Sequence, residues 1–158
     1  MQANVLIGES GHARLTDYGV APINTSPRLV VLSPTAGNSR WLAPEIILPC
    51  TTGVAVESRP ADIFAFGMLV AEVFTGRIPF EELEELRAAR RILEGGRPEL
   101  PQNAGDLGLT VPMWGFIQRC WDQNPTKRPE IDEVVKTWEG FLQNYEYVQR
   151  TLNDRVYL

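Results

Sequence analysis

The stretch Arg59–Gly76, RPADIFAFGMLVAEVFTG, constrains this chain more than any other. From Ile63 to Phe74 nearly every position is apolar, and no face at helical spacing is left polar. A helix that is hydrophobic all round belongs in the centre of a domain. Pro60 suits a first helical turn, where its missing N–H is no loss, and Gly76 suits the residue just past the end. The stretch therefore predicts one central helix of about four to five turns. It is too short for a bilayer, which needs about 20 apolar residues, and Asp62 and Glu72 bracket it. Other elements must pack around it.

Candidates for those elements follow from periodicity. Asn4–Ile7 and Ala13–Thr16 are short β-prone runs joined by the turn-rich Gly8–His12, a hairpin pattern. Val20–Ser39 has no clean period and contains Pro22, Pro27 and Pro34, so it reads as a long loop of the functional or mobile kind. Glu81–Glu94 predicts an amphipathic helix closed by Gly95-Gly96, with Arg87, Arg90 and Arg91 set among glutamates on a solvated face. Val111–Trp121 places Met113, Phe116, Ile117, Cys120 and Trp121 on one stripe. Ile131, Val134, Val135, Trp138, Phe141, Leu142, Tyr145 and Val148 keep helical spacing over about five turns, with a frayed tail expected from Asn153. The fold class is mainly α with a short N-terminal β-hairpin.

A net charge of −5 offers no basic face, which argues against nucleic acid and anionic membrane as partners. Cys50 and Cys120 form neither a disulfide framework nor a metal pattern, and Cys120 reads as a buried structural residue. His12, the only histidine, lies in the hairpin turn and reads as structural. Met1 leads into a polar-then-apolar pattern rather than a secretory leader, so the cytoplasm, or the nucleus, is the expected compartment.

Five short motifs follow one another in order. Asn4 is followed by Asp17-Tyr18-Gly19, then by Ala43-Pro44-Glu45 and by Asp62-Ile63-Phe64-Ala65-Phe66-Gly67 at the start of the central helix. Cys120-Trp121-Asp122 runs through Asn124-Pro125 to Arg128-Pro129. In this order they resemble a protein kinase, specifically the C-terminal lobe of a tyrosine-kinase-like member, over about residues 3–145. One such tripeptide is weak, but five in register are specific. The resemblance implies a partial kinase domain over 1–145, with 146–158 as the end of the last helix and a tail.

By that resemblance Asn4 is the catalytic-loop Asn, and Asp17-Tyr18-Gly19 is D-F-G with Tyr for Phe. Asn4 and Asp17 would then hold Mg²⁺, and with Gly19 they would lie at the ATP site. Without the resemblance, Asp17 reads as a turn residue and Asn4 as a cap at a strand start. Ala43, Pro44 and Glu45 match A-P-E, and Glu45 would form a buried ion pair with Arg128. Asp62 would serve as a helix N-terminal carboxylate, and Gly67 completes the opening motif of the central helix. Thr25, Ser26, Ser33, Thr35 and Ser39 lie where kinases are phosphorylated, although hydroxyl residues are also common in any loop. Asn38 stands where Ser/Thr kinases of this type have Thr after Gly37, which leaves serine/threonine against tyrosine specificity open.

No H-R-D precedes Asn4 in these 158 residues, and there is no Gly-rich loop and no V-A-I-K-type Lys. Catalytic residues are thus none, and the chain as it stands is expected not to transfer phosphate. The helix that covers part of the central helix in kinases is also missing. A marginal monomer is expected, with an apolar patch at Phe66, Leu69 and Phe74 that a second copy or a partner would cover. Three readings follow: part of an active kinase acting on a protein substrate, a non-catalytic binding or scaffold module, or an unrelated helical domain.

Overall fold

The computed structural model describes residues 4–16, 39–48 and 58–156, with side chains described as far as residue 145. The chain divides into two compact units, Met1–Arg128 and Pro129–Leu158.

The first unit opens with the expected hairpin. Strands β1 (Val5–Ile7) and β2 (Ala13–Leu15) pair antiparallel with Val5 opposite Leu15 and Ile7 opposite Ala13. A 3₁₀ turn at Ser39–Trp41 leads into the short helix α1 (Pro44–Ile47). Then come α2 (Arg59–Thr75), α3 (Glu85–Leu93) and α4 (Val111–Cys120), and a second 3₁₀ turn at Pro125–Lys127.

α2 is the predicted central helix. The Ser58 hydroxyl accepts the Ala61 N–H at its start, and Pro60 sits in the first turn. At its end Gly76 adopts φ 67°, a left-handed conformation that costs glycine nothing, while its N–H closes on the Glu72 carbonyl. The burial is one-sided, which differs from a helix enclosed all round. Ala61, Phe64, Met68 and Ala71 form the buried stripe, with Phe64 and Met68 at zero exposure. Phe66, Leu69 and Phe74 are half-buried, and Val73 is exposed. The expected open patch is therefore narrower than its sequence suggests. Asp62 is exposed on the first turn of α2.

α4 packs against α2. Gly67 makes this close approach possible: a Cβ there would lie 3.1 Å from Cys120 Cβ and 3.4 Å from the Ile117 carbonyl oxygen. The buried face of α4 is Trp114, Phe116, Ile117 and Cys120. Met113, assigned to that stripe from spacing, is only half-buried. Trp114 is seated instead, edge-on to Trp121 with ring centroids 5.3 Å apart.

α3 is shorter than the predicted 81–94 helix. Its first four residues form turns, because Phe80 has φ 54° and directs the chain away from a helical path. For a bulky residue this conformation costs roughly 1–3 kcal/mol and persists only where surrounding bonds enforce it. The exposed face of α3 carries the Arg90–Glu94 pair at 2.8 Å, one turn apart, as the mixed charge pattern implies.

The second unit is the helix α5 (Ile131–Val156), preceded by Pro129. Of the predicted stripe, Val134 is buried and half-buried Trp138 packs edge-on to Phe141 at 5.5 Å, whereas Ile131, Val135, Leu142 and Tyr145 are exposed and the Val148 side chain lies outside those described. The helix continues three residues beyond the expected fraying point at Asn153.

Candidate functional site

The hairpin register fixes one end of the candidate site. Thr16 N–H donates to the Asn4 carbonyl at 2.8 Å, so the residue before Asp17 is held beside half-buried Asn4. Asp17 and Gly19 lie outside the described residues, as do Thr25, Ser26, Ser33, Thr35, Asn38 and Cys50. Among the described residues no cluster of three or more His, Cys, Asp or Glu could hold a metal ion. The Mg²⁺ pair expected from the resemblance, Asn4 with Asp17, has only its Asn4 half among the described residues. His12 is exposed in the turn, its Nδ1 3.0 Å from the Ser10 hydroxyl, far in the hairpin from Asn4.

The A-P-E segment forms the other end. Ala43 is buried and caps α1, with the Ile46 and Ile47 N–H groups both donating to its carbonyl. Pro44 starts the helix, where no N–H is needed. Glu45, one residue on, receives both terminal nitrogens of Arg128, at 2.6 Å to Oε1 and 2.9 Å to Oε2. The Arg128 side chain has zero exposure and Glu45 is 25% exposed. Arg128 also donates to the Pro60 carbonyl at 2.8 Å and, through Nε, to the Asp122 carbonyl at 2.9 Å. One guanidinium thus joins A-P-E, the start of α2 and the turn after α4. This is the ion pair expected from the resemblance, with the bidentate geometry that arginine supplies and lysine does not.

A second arginine lies beside it. The Arg97 and Arg128 guanidinium carbons are 4.8 and 5.0 Å from the centroid of the buried Phe64 ring. Arg97 donates to the Trp121 carbonyl at 2.8 Å, to the Ile92 and Gly96 carbonyls, and to Gln123 Oε1 at 2.6 Å. Burial, and next the neighbouring Arg128 charge, pull Arg97 down to about 10, while Asp122 and Glu45 act the other way.

Ser39, Arg40 and Trp41, separated from A-P-E by Leu42, carry contacts that sequence reasoning missed. Ser39, buried, donates from its hydroxyl at 2.9 Å and its N–H at 3.2 Å to Glu85 Oε1 at the start of α3. Arg40 donates to the carbonyls of Pro79, Phe80 and Leu83. Trp41 donates its indole N–H to Glu72 Oε2 at 2.9 Å. Glu72, read from sequence as a polar boundary of the apolar run, is 1% exposed. A lone acid inside an apolar helix was the available signal: buried, it requires donors, and a Trp is one of the few side chains that can be both apolar and a donor. Ser39, a candidate phosphosite, has its hydroxyl engaged and buried.

Similarity to known proteins agrees with this geometry. A family model described as protein tyrosine and serine/threonine kinase matches residues 1–138. A Dictyostelium discoideum protein named as a probable serine/threonine-protein kinase is 35% identical over 133 residues, 84% of this chain and 13% of that protein. Serine/threonine-protein kinase STY46 of Arabidopsis thaliana is 31% identical over 140 residues, 85% of this chain and 21% of its own length. Dual specificity protein kinase pyk3 of Dictyostelium discoideum is 30% identical over 154 residues, 97% of this chain and 10% of its own length. This chain spans less than a third of the length of these curated relatives. With its motifs in order and its A-P-E glutamate paired to Arg128, the chain belongs to the protein tyrosine and serine/threonine kinase family.

Proposed function

We propose that these residues form the C-terminal lobe portion of a protein kinase that transfers phosphate from Mg-ATP to protein hydroxyl groups. The observation that carries this reading is the buried, bidentate Glu45–Arg128 pair, which anchors the A-P-E segment to the start of α2 and the turn after α4. In that reading Asn4 and Asp17 hold Mg²⁺, which neutralises charge on the triphosphate, and this lobe supplies positioning rather than covalent chemistry. The names of the similar kinases favour serine and threonine as acceptors, with tyrosine as the alternative that a dual-specificity relative keeps open. The proposed compartment is the cytoplasm, with the nucleus as the alternative.

A second reading has its own support. These 158 residues contain no H-R-D, Gly-rich loop or β3 Lys. The stretch alone therefore has no base to accept the substrate proton and no group to cover the phosphates. On this reading it does not transfer phosphate by itself and acts as a binding or scaffold module, with a partner or a second copy over the half-buried side of α2.

The test is a chimera joining the N-terminal part of a similar kinase, through its H-R-D, to this chain. The chimera is expected to phosphorylate a generic protein substrate on serine or threonine, and Asp17→Asn is expected to reduce the rate at least about 100-fold. A chimera that melts cooperatively yet transfers nothing would refute the kinase reading. The chain alone is expected to show no thermal shift with millimolar Mg-ATP, and a clear shift would refute its inactivity.

A further inference from the structure

Residues 39–41 hold more than the A-P-E segment. The Arg40 guanidinium gathers three carbonyls from a single loop, Pro79 at 2.9 Å, Phe80, and Leu83 at 2.5 Å. That loop contains Phe80 at φ 54°, the one non-glycine residue with positive φ among those described. Carbonyls that converge on one cation repel one another, and a bulky residue resists the left-handed region. Arg40 offsets both effects at once, because its planar fork presents several donors in fixed directions. The neighbouring side chains hold the same dock: Ser39 on Glu85 of α3 and Trp41 on Glu72 of α2.

The loop also walls two clefts. Pro79, Phe80 and Leu83 line a cleft of about 730 Å³ together with Ala71, Glu72 and Arg97. Leu83 also lines a second cleft, of about 580 Å³, whose wall includes Arg40 and Glu85. The shape of the larger cleft is therefore tied to the Phe80 conformation, and that conformation to Arg40.

We propose that Arg40 and Phe80 form a conformational latch. While residues 39–41 are docked, Arg40 holds Phe80 left-handed and the larger cleft keeps its observed shape. When they undock, Phe80 relaxes to negative φ and the loop between α2 and α3 reshapes the cleft. The segment leading into A-P-E and the cleft at the end of α2 are then two sites coupled through one bistable element. This inference does not depend on phosphate transfer.

Hydrogen–deuterium exchange on the full chain tests it. The Leu83 N–H donates to the Phe80 carbonyl at 2.9 Å and reports on the loop. Amides in the buried part of α2, such as that of Met68, report on the fold. Arg40→Ala is expected to lower Leu83 protection about 10-fold or more and to leave Met68 protection unchanged. In a Phe80→Gly background, where positive φ carries no steric cost, the same change is expected to lower Leu83 protection less than about threefold. Arg40→Lys keeps the charge without the fork and is expected to behave like Arg40→Ala. Equal losses in both Phe80 backgrounds, or Leu83 protection within about twofold of wild type in Arg40→Ala, would overturn the latch. Should Arg40→Ala lose Met68 protection as well, Arg40→Lys decides by the same criteria. Loss of Met68 protection in both variants would make Arg40 a general stabiliser and would also overturn it.

Discussion

Replacing Glu45 with alanine leaves the Arg128 guanidinium buried without its carboxylate. The Arg128 side chain has zero exposure, and among the described residues it keeps the carbonyls of Pro60 and Asp122 as acceptors and the Phe64 ring beside it. Neutral carbonyls can accept its hydrogen bonds, but they cannot cancel a full charge in a low-dielectric setting. Breaking one side of such a pair costs about 3–5 kcal/mol. The 25% exposure of Glu45 lets water enter the vacated space, which places this site toward the lower end, near ~3 kcal/mol. For a chain of this size that corresponds to a fall in melting temperature of roughly 6–12 °C. Thermal and urea unfolding of wild type and Glu45→Ala should agree on the size of the loss. The double variant Glu45→Leu/Arg128→Met removes both charges and fills the space with apolar atoms, so it should recover at least about half of it. The reasoning fails if Glu45→Ala costs less than about 1 kcal/mol, the value of an exposed pair. It also fails if the double variant loses the sum of the two single losses.

Three further outcomes follow from particular contacts. Gly67→Ala should destabilise by about 1 kcal/mol or more, because its Cβ meets Cys120 Cβ at 3.1 Å. Gly115→Ala, on α4 with open space around the new atom, should stabilise by about 0.5–1 kcal/mol, so urea midpoints moving the same way would refute the close-approach argument. Trp41→Phe keeps the buried ring but removes the donor to the Glu72 carboxylate, and should cost about 1.5–3 kcal/mol by urea denaturation; a loss under about 0.5 kcal/mol would show that bond to be dispensable. Arg97 is lowered to about 10 in the folded chain, below the ordinary arginine range. The cost of burying its charge is therefore fully present below pH 10 and eases only as pH rises through that value. The gap in melting temperature between wild type and Arg97→Gln should stay constant within about a degree from pH 6 to 8, and a gap that drifts over that range would refute this.

Periodicity and end signals made the secondary structure legible. Pro60 and Gly76 bound α2 within a residue, and the hairpin fell where turn residues separate two β-prone runs. Local rules suffice there because a cap or a turn is decided by a few neighbouring residues. The pairing of Glu45 with Arg128, 83 positions apart, was not legible from local rules and was expected only from the resemblance of the ordered motifs to a kinase. Local rules failed at the start of α3. The residues from Glu81 onward have helical composition, yet Arg40, about 40 positions earlier, draws the Pro79, Phe80 and Leu83 carbonyls into a turn. Trp114 in place of Met113 on the α4 face, and buried Glu72, are errors of the same kind.

The order of elements, the ends of α2, the hairpin and the kinase motifs were thus determined by the sequence itself, since each depends on chemistry within a few residues. Which face of α2 is buried, how closely α4 can approach over Gly67, and where the Ser39, Arg40 and Trp41 donors find their acceptors were decided only by tertiary structure. Those outcomes depend on atoms far apart in the chain that meet only when it folds, and a buried donor, acceptor or charge must find its partner there or destabilise the whole.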